Sequence, residues 1–167
     1  MTSAELLTDA FGRVQETVHE AVDGLSDAQL AVRLDQDANS IAWLCWHLAR
    51  VQDDHLAGAF GVAQVWPSFV DRFGLPFGPG AIGYGHDSSQ VALVRVSGDL
   101  LTRYQDAVHE QTIALMSGVV DADLSRVVDE GWDPPVTLGV RLISVISDCL
   151  QHAGQAAFIR GVLLRAG

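Results

Sequence analysis

From Ser3 to Val22 apolar residues recur every three or four positions. Leu7, Ala10, Val14, Val18 and Ala21 share one face of a helix, and Asp9, Arg13, Glu16 and Glu20 fall on the others. Gly24 is placed to end this helix, and Ser26 with Gln29 forms a capping-box pattern for a short turn after it. A second helical pattern opens at Asn39 or Ser40 and carries the stripe Ile41, Leu44, Cys45, Leu48, Val51 and Ala59. Six glycines and three prolines then fall between Gly61 and Asp87, too much disruption for a continuing helix. A third pattern runs from near Ser88 to about Met116 and would bury Val94, Leu101, Tyr104, Val108 and Leu115. Pro134 and Pro135 close the next linker, after which Thr137 is placed to cap a fourth helix ending at Arg165.

No segment alternates apolar and polar residues long enough to argue for a sheet, so the four helices must cover one another around one core. The expected fold class is all-α, a four-helix bundle formed by a single domain over residues 1–167. The linker after Gly61 is long enough to cross the bundle and let the second and third helices run parallel.

Composition narrows the function. Hydrophobic residues make up 49 % of the chain and charged residues 19 %, enough apolar surface for a folded core. The formal net charge of −11 repels phosphate backbones and anionic lipid, which disfavours nonspecific nucleic-acid or membrane binding, and neither partner is expected. All ten basic residues are Arg, so lysine Schiff bases and a P-loop are ruled out. The N-terminus lacks a basic segment followed by an apolar run, and the apolar stretch from Val136 to Leu164 is interrupted by Arg141, Asp148, His152 and Arg160. A cytoplasmic protein is expected, with Cys45 and Cys149 as free thiols.

The fourth helix carries the strongest chemical signal. At ~100° per residue, Leu138, Val145, Cys149, His152, Ala156, Ile159 and Leu163 form one apolar stripe with His152 near its centre. Asp148 stands one turn earlier, so the two side chains leave the helix from nearly the same line. A carboxylate there needs a cation, a metal ion or a hydrogen-bond donor. On the second helix His47 lies on the flank of the stripe, with Trp43 and Asp54. Two imidazoles and one carboxylate from facing helices suit Zn²⁺ or another divalent ion with a position left open. Cys149 is a rival to Asp148 as the third donor, though it fits the core equally well. His55 is two turns, ~12 Å, beyond His47 and cannot share its ion. His19, His86 and His109 have no spaced partner and are expected to be ordinary surface or loop residues.

The segments WLCWHLARVQDDHLAG and VTLGVRLISVISDCLQHAGQAAFIRG resemble the two diagnostic helices of the DinB-like superfamily, and the resemblance extends over almost the whole chain. It implies a four-helix bundle in up-down-down-up order and a divalent metal held by one His of the second helix and two residues four apart on the fourth. His47, Asp148 and His152 occupy those positions. The middle position is often His in the superfamily and a carboxylate in the related mycothiol-dependent maleylpyruvate isomerase. That enzyme has a further C-terminal domain that is not expected here, so its particular activity is not expected to carry over.

Relatives include transferases of mycothiol, bacillithiol or glutathione, and the resemblance implies an enzyme that moves a small thiol onto a small electrophile. The ion is expected to be Zn, with Ni, Fe or Mn as alternatives. Arg50, Asp54, His55 and Gln155 lie on neighbouring faces and are candidates for contacting the substrate or the ligands. A metal-dependent hydrolase and a noncatalytic metal-binding bundle are the competing readings. Val140, Ile143, Leu150 and Phe158 extend the apolar surface of the fourth helix beyond one stripe, which points to a homodimer.

Overall fold

A computed structural model describes residues 1–166, so Gly167 of the expected domain lies outside the described residues. Four long helices form the body: α1 (Ser3–Val22), α2 (Ile41–Phe60), α3 (Gly98–Met116) and α4 (Leu138–Ala166). Their starts follow from side-chain caps that satisfy orphan N–H groups. Thr2 and Glu5 close a capping box on α1, Ser40 accepts from the Trp43 amide, and Ser97 accepts from the Leu100 amide. Gly61 ends α2 in the left-handed region at φ +67°, a conformation a side chain would disfavour.

Contacts between the helices fix their directions. Cys149 Sγ lies against the Leu48 carbonyl, and Arg126, whose own carbonyl accepts from the Leu138 amide at the start of α4, donates to the carbonyl of Ala59 near the end of α2, so α2 and α4 are antiparallel. Arg160 near the end of α4 donates to the Asp23 carbonyl after α1, so those two helices are parallel. Gln15 and His19 both meet Asp106, and Ser3 meets Asp121, so α3 opposes α1. The order is therefore up, down, down, up.

Three expectations need correction. The third helix does not run unbroken from Ser88: a single turn at Ser88–Val91 is followed by a stretch outside any helix or strand, and α3 begins at Gly98. β-branched Val94 and Val96 are buried at alternate positions of that stretch, and Ser97 captures the α3 amides. A small antiparallel ribbon, β1 (Val127–Asp129) with β2 (Val136–Thr137), occupies the linker before α4. Finally, the buried stripe of α4 is Leu138, Leu142, Val145, Cys149, Ala153, Ala156 and Ile159. Ala153 holds the central place, and His152 stands at the edge of the stripe, partly exposed.

A polar knot under the linker after Gly61 secures α2. Asp53 is buried and accepts from the Val65 and Trp66 amides at 2.9 and 2.8 Å, from Tyr104 Oη at 2.8 Å and from Arg50 at 3.4 Å. Those bonds hold the linker against α2 and α3, and so carry the glycine-rich stretch from Gly78 onward toward the second-helix histidine.

Candidate metal centre

His47 from α2 and Asp148 and His152 from α4 offer donor atoms that all lie within 4.8 Å of one another. The imidazole centroids of His47 and His152 are 4.8 Å apart, and His152 Nε2 is 3.6 Å from Asp148 Oδ1. Each imidazole is oriented through its other nitrogen. His47 Nδ1 donates to the carbonyl of Ile82, and His152 Nδ1 is 3.1 Å from Gln155 Oε1. A carbonyl oxygen only accepts, so Nδ1 carries the proton and the Nε2 lone pair is left for a ligand bond.

The donor set fits a divalent ion on a second count. Among the described residues Asp148 Oδ2 is buried without a hydrogen-bond partner, a costly state that a cation at this point would relieve. His47 is itself buried, and that burial holds its basicity below the ordinary imidazole value, which favours the neutral form able to bind metal. Two nitrogens and one carboxylate oxygen leave further coordination positions unfilled by the protein.

Aromatic rings wall the site. Trp43 stacks on His47 with centroids 4.6 Å apart and meets His152 edge-on at 6.2 Å. Gly83, at φ +92°, packs behind the His47 imidazole, against Nδ1 and the rings of Trp46 and Trp43. A Cβ there would stand 2.7 Å from His47 Nδ1 and 3.0 Å from the Trp46 ring, so only glycine lets the loop approach closely enough for Ile82 to hold the imidazole. His86 belongs to this wall rather than to ordinary loop surface. Its Nδ1 accepts from Trp43 Nε1 at 3.2 Å, and its ring stacks on Trp46 at 5.7 Å and meets Phe77 at 4.5 Å. The Gly83-Tyr84-Gly85-His86 spacing was the available signal for a loop turning back onto the site.

The other expected residues divide. Gln155 touches the site by holding His152. Arg50 does not face it: the guanidinium is buried, bonded to the Ala81 carbonyl, Gln64, Tyr104 and Asp53, and lies over the Trp66 ring. Arg50 thus anchors the loop one residue from Ile82 and is unavailable to a ligand. Asp54 and His55 pair with each other at 3.2 Å and line a separate 220 Å³ cleft with Arg141 and Asp129, at the far end of α2. Cys149 points into the core toward the Leu48 carbonyl, so Asp148 is the third donor that the fold brings to the histidines. Both cysteines are free and buried, and burial pushes the Cys45 thiol up to about 12. His19 pairs with Asp106 on the opposite side of the bundle.

Comparison with known proteins supplies a family. Residues 6–164 match the model of a family described as mycothiol-S-transferase. A crystal structure described as the conserved protein of locus from Enterococcus faecalis is 28 % identical, with a TM-score of 0.88 and 96 % of each chain covered. No curated protein matches the chain.

Proposed function

Because the chain belongs to the mycothiol-S-transferase family, a DinB-like family, we propose that it transfers a low-molecular-weight thiol such as mycothiol to a small electrophile at a divalent-metal centre held by His47, Asp148 and His152. The observation that carries this reading is the convergence of three donors within 4.8 Å, with each imidazole held at Nδ1 and one carboxylate oxygen buried without a partner among the described residues. A divalent ion bound there would supply the positive charge that keeps a thiol ionised at neutral pH.

The chain's own residues perform the positioning. Ile82 and Gln155 fix which nitrogen of each imidazole is free, and Gly83 lets Ile82 reach His47. Trp43 covers one side of the ligand cluster with an apolar surface that excludes water, which strengthens electrostatic interactions inside it. Zinc suits a set of two imidazoles and a carboxylate, and Ni, Fe and Mn accept the same donors.

An enzyme is favoured over a purely structural ion because the protein provides three donors and Cys149 is turned away from the fourth position. The hydrolase reading uses the same open position and is separated from thiol transfer by substrate. Elemental analysis of protein purified without a metal-affinity tag, followed by turnover with mycothiol and small electrophiles, tests the proposal. Thiol-dependent turnover that vanishes with the metal supports it, and water-dependent cleavage without thiol consumption favours the hydrolase.

None of the helices, among the described residues, is long and apolar enough to cross a membrane. We further propose a homodimer through α4, where Val140, Ile143 and Leu150 are exposed. Phe158, also exposed, lines a groove with Gln151 and Gln155.

A further inference from the structure

Three residues on one face of α2 grip the chain that returns from the linker. Arg50 donates to the Ala81 carbonyl, His47 to the Ile82 carbonyl, and Trp43 Nε1 to His86 Nδ1. The numbers fall along α2 as they rise along the loop, so the loop lies antiparallel to the helix as a strap. At its end the His86 amide donates to the Gly83 carbonyl at 3.1 Å, and Gly85 at φ +75° supplies the left-handed residue such a turn takes. The turn brings the His86 ring back to α2.

His86 is itself held. Its ring stacks on Trp46 and meets Phe77 at centroid distances of 5.7 and 4.5 Å, so two larger rings restrict its rotation. An indole N–H only donates, so Nδ1 accepts and the imidazole proton stands on Nε2. Burial keeps this imidazole below its ordinary value, against the smaller opposing effect of Asp87, which leaves Nδ1 free to accept. The indole that it holds lies on His47 with centroids 4.6 Å apart and planes 18° apart. Trp46 and Trp66 Nε1 are buried without a partner among the described residues, so such a bond is not a general need of buried tryptophan in this fold. It is made by the ring that meets both metal-binding imidazoles.

We propose that His86 is a positioning residue of the metal centre: it acts through Trp43, fixing the indole on His47 and so the direction in which His47 Nε2 faces Asp148 and His152. Ile82 restrains the imidazole at its Nδ1 edge, and Trp43 restrains it across its face, so one strap supplies both restraints. The assignment rests on the metal-centre reading and adds to it a residue from outside the donor set.

The test compares His86→Asn, whose amide oxygen stands as many bonds from Cβ as Nδ1 does and still accepts, with His86→Leu, which offers no acceptor. In the metal-free full chain, nuclear magnetic resonance should show the His47 ring protons shifted upfield by the overlying indole. That shift should persist in His86→Asn and be lost in His86→Leu, with helical circular dichroism intact in both. Zinc affinity should fall about ten-fold in His86→Leu and recover in His86→Asn. Trp43→Phe removes the donor, should lower zinc affinity by a similar factor, and should add nothing further when combined with His86→Leu. An unchanged His47 shift in His86→Leu, equal losses in both His86 variants, or factors that multiply in the double variant would overturn the assignment. Should His86→Leu not fold, Trp43→Phe alone decides, and undiminished zinc affinity there overturns it. A native chain that binds no zinc would remove the metal-centre reading, and the His47 shifts of the metal-free chains would still decide whether His86 holds the two rings in place.

Discussion

Gly83 stands so close to His47 that a Cβ on it would lie 2.7 Å from the imidazole Nδ1. The contact ties a loop residue to a helix residue through the carbonyl of Ile82, which accepts the Nδ1 proton. Gly83→Ala therefore adds a clash and strains a backbone at φ +92°. Metal affinity should fall by about 10–100-fold, the usual cost of losing an orienting partner, while far-ultraviolet circular dichroism keeps its helical signal. Unaltered affinity in competition with a chromophoric chelator would show that the loop does not orient the ligand.

Asp148 is predicted to serve the metal at the expense of the metal-free fold. Its Oδ2 is buried without a partner among the described residues, so Asp148→Ala should remove a desolvation penalty and leave the urea midpoint of the metal-free protein unchanged or higher. Binding of zinc should weaken by at least about ten-fold in the same variant. Loss of stability with undiminished metal binding would assign Asp148 a structural role instead.

Stability of the metal-free protein should decline as pH falls below neutrality. His109, on α3 and away from the metal centre, is held below the ordinary imidazole value chiefly by burial, with Asp106 opposing that shift. A depressed histidine takes up its proton more readily unfolded, so its contribution is neutral above the unfolded value near 6.5 and becomes destabilising as pH falls toward the folded one. His109→Gln should flatten that part of the curve measured by urea unfolding between about pH 7.5 and 5.5. An identical slope in the variant would remove burial of His109 as the cause.

The homodimer prediction rests on the solvent face of α4, where Val140 is 57 % and Ile143 64 % exposed. Light scattering at tens of micromolar should give twice the 17.9 kDa mass of the chain. Ile143→Glu should return the protein to a monomer with its helical content intact. A monomeric native protein would contradict the prediction.

Much of this was legible because it is local. The 3.6-residue pattern marked four helices, and the caps at Ser40 and Thr137 placed two of their starts. His152 and Asp148 are one turn apart, so their pairing needed no tertiary knowledge. What was hidden depended on chain returning from far away. Ile82, Gly83 and His86 reach α2 through a linker whose course is fixed by the Asp53 knot, and no periodicity announces such a path. Arg50 was misplaced for the same reason: its partners Gln64, Ala81 and Tyr104 come from distant segments that bury it completely. On α4, His152 and Ala153 differ by ~100° on the wheel, and packing of α1 and α2 against it chose Ala153 for the centre.

The most direct measurement is the absorption spectrum of the cobalt-substituted full chain titrated with mycothiol. One cobalt ion per chain should bind at His47, Asp148 and His152, and the added thiol should produce a sulfur-to-cobalt charge-transfer band with proton release near neutral pH. The band should be absent from His47→Ala, which retains the fold. Cobalt-loaded native protein whose spectrum does not change with mycothiol, or a His47→Ala variant that still develops the band, would contradict a thiol-binding metal centre at these three residues.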